Sequence, residues 1–123
     1  MNKELVVKEL ISLVNRNGLI DTLYVIFGKK INVTIPFSQK ACETPIDDLE
    51  FSVRANNAMK RSGIFTVGEA IELIENDGLL RIKNLGKKTQ NEIKTRILVY
   101  AYQKLTESEK KRFFYEVLEK NCA

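Results

Sequence analysis

The residues whose type and spacing suit them to chemistry are cations. Between residues 51 and 104 stand ten Lys or Arg against five Asp or Glu, whereas residues 1–50 and 105–123 are close to balance. That excess fits an anionic partner for the middle of the chain, with a solvated basic face as the plainer alternative. Its sharpest point is "NLGKKTQNEI", Asn84 to Ile93. The second half reads as the start of a helix, an end that carries partial positive charge and favours Asp or Glu. Lys87 and Lys88 stand there instead. Asn84 tolerates the left-handed conformation that usually demands Gly, and Gly86 lets the backbone approach another molecule closely. The free N–H groups of the new helix then point outward as anion ligands. A phosphate docked there would neutralise both lysines. A simple helical corner with solvated lysines is the competing reading.

Other chemistries are poorly served. The chain has no histidine, so a histidine general base is excluded. Cys42 and Cys122 are the only cysteines and form no CxxC pair, which leaves no zinc site of the usual Cys/His kind. Both read as free thiols of a reducing compartment. No carboxylate cluster accompanies Asn84 to Ile93, so a DNA-repair enzyme is poorly supported. No catalytic residue, metal or cofactor is expected. Apolar runs such as "LYVIF" are too short to span a bilayer. Glu4 and Glu9 interrupt the apolar N-terminal stretch, which argues against a signal peptide. Cytoplasmic residence is expected.

The elements that must position these residues are mainly helical. Residues 3–16 repeat Leu5, Val6, Leu10, Ile11, Leu13 and Val14 at helical spacing, and Asn17-Gly18 is a C-terminal stop. Ile31, Val33 and Ile35 alternate with polar residues as in a strand, and Gly28-Lys29-Lys30 could close a β-hairpin with Leu23–Phe27. "LIDTLYVIF" could also be a short helix. Residues 37–44 look like a connector. Ser52 caps a helix from Val53 to about Ser62, stopped by Gly63, and Thr66 with Glu69 forms a capping box. "LLRIK" suits one helical turn. A turn at Asn84-Leu85-Gly86 leads into a long helix from about Lys87 to Lys104. Thr106 and Glu109 form a second capping box and open the final helix.

"LLRIKNLGKKTQNEI" thus has the apolar, turn and helix positions of a helix-hairpin-helix. Preceded by "PIDDLEFSVRANNAMK", Pro45 to Lys60, it strongly resembles the C-terminal domain of the bacterial RNA polymerase α subunit, over about residues 44–97. The resemblance implies a compact bundle of short helices that binds double-stranded DNA in the A·T-rich minor groove upstream of core promoter elements. It implies that Arg54 enters the groove, a role that suits the negative potential of a narrow A·T groove. Asn57 matches a groove- or backbone-contacting residue one turn further on. Gly86, Lys88 and Thr89 match positions that contact phosphate, with Asn84 and Glu92 in or beside that determinant. Lys60 and Lys87 are expected to attract phosphates from the periphery. Asp47, Asp48 and Glu50 match an acidic surface presented to sigma factor, and the family also touches transcription activators.

Three segments are expected. Residues 1–43 form an N-terminal helix with the hairpin, residues 44–97 the DNA-binding module, and residues 98–123 a helical extension. The large assembly domain of the α subunit has no counterpart here, so a free-standing, non-catalytic relative is expected. Val99, Tyr102, Leu105, Phe113, Phe114, Val117 and Leu118 need cover, and packing of the last helix on the first would supply it. A homodimer interface is the runner-up, so the chain should be a monomer or weak homodimer. The competing function is a protein–protein adaptor that binds sigma factor, an activator or RNA polymerase through its acidic surface without useful DNA affinity.

Overall fold

Gly18 joins the first two helices with no intervening loop. Its N–H donates to the Val14 carbonyl at 2.8 Å, closing α1 (Lys3–Asn17), and its carbonyl accepts from Thr22 N–H at 3.2 Å, opening α2 (Leu19–Phe27). The backbone there has φ +88°, which glycine adopts without steric cost. Thr22 Oγ1 adds a 2.8 Å bond to the same carbonyl. The computed structural model describes residues 2–28, 33–36, 38–82 and 85–121, and these fall into two compact units.

The first unit comprises residues 1–34 and 105–123. Here α1 packs on α2 and on the final helix, α7 (Glu107–Asn121). Val7 and Leu10 of α1, Leu19 and Leu23 of α2, and Phe113, Phe114, Val117 and Leu118 of α7 are buried. The rings of Phe113 and Phe114 meet edge to face, 5.2 Å apart. Packing of the first helix on the last is therefore as expected; of the expected stripe Leu10 is buried and Val6, Ile11, Leu13 and Val14 are half-buried, and Leu5 is the exception. Leu5 is 60% exposed and Val7 is buried in its place. Thr106 Oγ1 and the Glu109 carboxylate form the expected reciprocal cap on α7.

The expected β-hairpin is not found. Leu23–Phe27 belong to α2, in agreement with the helical reading of the same stretch. Leu19, Thr22 and Leu23 share its buried face, and the three-residue step from Leu19 to Thr22 is one that helical and not alternating geometry provides. Lys29, Lys30 and Ile31 lie outside the described residues. No strand occurs among the described residues, and the sole β-type pairing there is the bridge between Pro45 and Thr66.

The second unit comprises residues 35–104. It contains α3 (Gln39–Cys42), a 3-10 turn at Ile46–Leu49, α4 (Val53–Arg61), α5 (Val67–Glu75), a 3-10 turn at Gly78–Arg81 and α6 (Lys87–Gln103). The connector expected over residues 37–44 contains α3, capped by Ser38 Oγ on Ala41 N–H. Gly68 of α5 lets α3 approach closely, since a Cβ there would stand 2.9 Å from Cys42 Cβ. Ile46, Ala55, Met59, Val67, Leu79, Ile93 and Ile97 form the centre of the core. Ile46 N–H donates to Phe65 O at 2.9 Å and Val67 N–H to Thr44 O at 2.8 Å, fixing the 3-10 turn against the α4–α5 connection. Thr66 and Glu69 make the expected capping box, and Ser52 caps α4 as expected. None of the described helices is long and apolar enough to cross a membrane.

Candidate nucleic-acid interface

A carboxylate from α6 sits on the start of α4. Glu92 Oε2 accepts from Ser52 N–H at 2.7 Å, and Glu92 Oε1 accepts from the Ser52 hydroxyl at 2.8 Å. The same hydroxyl oxygen accepts from Ala55 N–H at 3.2 Å. Ser52 is thus both the cap of α4 and its link to α6. Glu92 follows Lys87 by five residues, about 7.5 Å along a helix. The clamp therefore holds the start of α4 within two turns of the start of α6.

That arrangement joins the two helices that carry most of the expected residues. Arg54 and Asn57 lie on α4, one turn apart and exposed. With Val53, Lys60 and Arg61 they line a shallow depression. Gly86, Lys87 and Lys88 are exposed at the start of α6. Thr89 is only 8% exposed, and its backbone N–H is one of the first-turn donors without an intrahelical partner. Asn84 lies outside the described residues.

The start of α6 differs from most other helix starts in the protein. Asn2, Ser38, Ser52, Thr66 and Thr106 supply side-chain caps to α1, α3, α4, α5 and α7. Gly86 supplies none to α6, whose first turn holds no acid and two lysines. The Gln90 amide secures the approach by donating to Leu85 O at 3.0 Å. Gly86 itself has an extended backbone with φ −74°, and a Cβ there would meet open space. Neither conformation nor packing among the described residues calls for glycine at this position. The unbonded first-turn N–H groups, the local positive dipole and the two ammonium groups together make an anion-attracting end.

The acidic residues divide. Asp47, Asp48 and Glu50 are all exposed. Asp47 Oδ1 also accepts from Lys60 Nζ at 2.8 Å and from Asn56 Nδ2 at 3.0 Å. The Lys60 bond, then the Asn56 bond, hold the Asp47 carboxyl below its usual pKa. Sequence reading missed two residues of the arrangement in their positioning roles: Ser52 as the anchor of Glu92, and Asn56 as a partner of Asp47. A serine before a helix signals a cap, but nothing local signals a carboxylate 40 residues away in sequence.

Comparison with known proteins gives the same module. Residues 35–98 match the family of the C-terminal domain of the bacterial RNA polymerase alpha subunit. The protein is 49% identical over 55 residues to the DNA-directed RNA polymerase subunit alpha of Carboxydothermus hydrogenoformans, covering 45% of its own length and 17% of that relative. It is 51% identical over 57 residues to the Corynebacterium glutamicum subunit, covering 46% and 17%. For the Rubrobacter xylanophilus subunit the identity is 42% over 60 residues, covering 49% and 19%. The match thus spans less than a fifth of these relatives' length. No solved structure is a significant match. Because the family match takes in just over half of its residues, the protein belongs to the family of the bacterial RNA polymerase alpha C-terminal domain.

Proposed function

We propose that residues 35–104 act as a non-catalytic, transcription-associated DNA-binding module. Arg54 enters an A·T-rich minor groove, Asn57 contacts the groove or adjoining backbone, and the start of α6 receives a phosphate through Lys87, Lys88 and the amides of its first turn. The observation that carries this reading is the Ser52–Glu92 clamp, which fixes an exposed arginine beside an uncapped, lysine-bearing helix start. Narrow A·T grooves concentrate negative potential and favour inserted arginine. The free amides and lysines supply sequence-independent contacts that set register. Glu92 acts in this reading by holding α4 and α6 together.

The exposed Asp48 and Glu50 suit a basic surface on sigma factor, an activator or RNA polymerase, the basis of the adaptor reading. Paired titrations separate the two. An A-tract duplex and a G·C duplex are titrated into the protein at low salt, then at rising salt. Tighter binding to the A-tract, weakening steeply with salt, is expected. Equal affinities would remove the groove-specific reading. Absence of binding to either duplex would favour the adaptor.

A further inference from the structure

Lys60 belongs to two surfaces at once. Its side chain borders the depression that Arg54 and Asn57 line, and its ammonium reaches back to Asp47 at 2.8 Å. The pair is open to solvent on both sides, with side-chain exposures of 38% for Lys60 and 56% for Asp47. Surface ion pairs of this kind are weak and readily exchanged. Asn56 donates to the same Asp47 oxygen, so the carboxylate keeps a partner when the ammonium leaves. Asp48, the next residue, makes no ion pair among the described residues.

We propose that Asp47 restrains Lys60: it holds the ammonium at the acidic edge in the free protein and gives it up to a DNA phosphate in the complex. This rests on the DNA-binding reading above and assigns Asp47 a role in tuning the affinity of that site. The acidic edge and the DNA face then communicate through one side chain. A partner's cation that takes Asp47 frees Lys60 for DNA, and linkage requires that DNA taking Lys60 frees Asp47 equally.

The test is a double-mutant cycle on A-tract binding by the full-length protein, using Asp47→Asn, Lys60→Ala and the two together, with Asp48→Asn as the charge control. Asp47→Asn preserves shape and the acceptor for Asn56 while removing the charge. It should tighten binding about two- to fivefold, the size of one surface ion pair. The salt slope should stay close to that of the unmutated protein, because Lys60 neutralises the same phosphate in both complexes. The gain should vanish when Lys60 is already alanine. An equal gain in the Lys60→Ala background, or from Asp48→Asn, would reduce the effect to general charge and overturn the proposal. No gain from Asp47→Asn would overturn it as well, while leaving the DNA reading intact. Failure of the unmutated protein to bind either duplex at low salt would overturn both.

Discussion

The two units carry similar net charge and use it differently. Residues 35–104 contain eleven Lys and Arg against nine Asp and Glu, and the remaining residues contain nine against seven. In the first unit both signs are mixed within α1 and within α7, as in Lys3-Glu4 and Lys8-Glu9. In the second they are segregated by element. Acids fall at residues 43–50 and at 69–77, while bases fall at 54–61 and 81–104, with Glu92 the sole acid of the last stretch. Glu92 is bonded to Ser52, and Asp47 to Lys60. Net charge alone would have ranked the units equal; it is segregation, with an uncapped helix end, that marks a candidate surface for anions.

The comparison can be broken most forcefully from the core. Phe114 is fully buried in α7, and Phe114→Ala should cost about 3–5 kcal/mol of stability. Hydrogen exchange should show lost protection over residues 107–119, while A-tract affinity stays within about twofold. A parallel loss of affinity would show that DNA binding draws on both units. Removal of residues 1–36 should likewise expose α7 to exchange, and unchanged protection there would deny the α1–α7 packing its energetic weight.

Next in size is Arg54→Ala. Loss of the groove contact should remove about 1–3 kcal/mol of A-tract binding and abolish the preference over G·C, without altering the melting temperature. Retention of that preference in a folded variant would remove Arg54 from the site. Glu92→Ala offers a test of sign. Deleting an acid near DNA ordinarily tightens binding, but loss of the clamp should weaken it. Ser52→Ala should destabilise the fold by about 0.5–2 kcal/mol through the cap alone, measured by denaturant unfolding. Lys88→Ala should weaken all sequences alike and lower the salt slope by around 1. A sequence-selective loss would place Lys88 against bases and not phosphate.

The smallest expected effect is one that the units share. Glu69 and Glu109 each have a pKa lowered below the ordinary 4.5, chiefly by backbone N–H groups of Phe65 and Thr106 respectively. A depressed carboxyl pKa stabilises the fold above its unfolded value, and the contribution is lost as pH falls through the folded value. Protection factors in the first turns of α5 and α7, taken relative to the intrinsic exchange rate at each pH, should therefore stay level above about pH 4.5 and fall below it. Insensitivity of either turn to acid would show that its carboxylate cap is not formed in solution.

Much of the second unit was legible because its signals are local. Ser52 and Thr66, like Thr106 in the first unit, announce helix starts through side-chain geometry that spans three residues, and Gly63 marks a stop. The five-residue apolar run "LYVIF" was ambiguous because length and apolarity alone do not separate a strand from a short buried helix. The four-residue helix at Gln39–Cys42 is too short to show a period. For α1, the three adjacent apolar residues Leu5-Val6-Val7 left the edge of the buried face undetermined, so Val7 was missed and Leu5 overvalued. At the candidate site, residue types could be read from sequence, but the links between them could not. Ser52–Glu92 and Asp47–Lys60 join residues far apart in sequence, and only tertiary structure brings such pairs together.

Backbone amide shifts of the full-length protein, recorded with and without an A-tract duplex at low salt, test the central claim most directly. Changes should concentrate at residues 53–61 and 85–92, with α1, α2 and α7 left unperturbed. Changes centred on α1, α2 or α7, or spread evenly over every lysine of the protein, would contradict DNA binding through α4 and the start of α6.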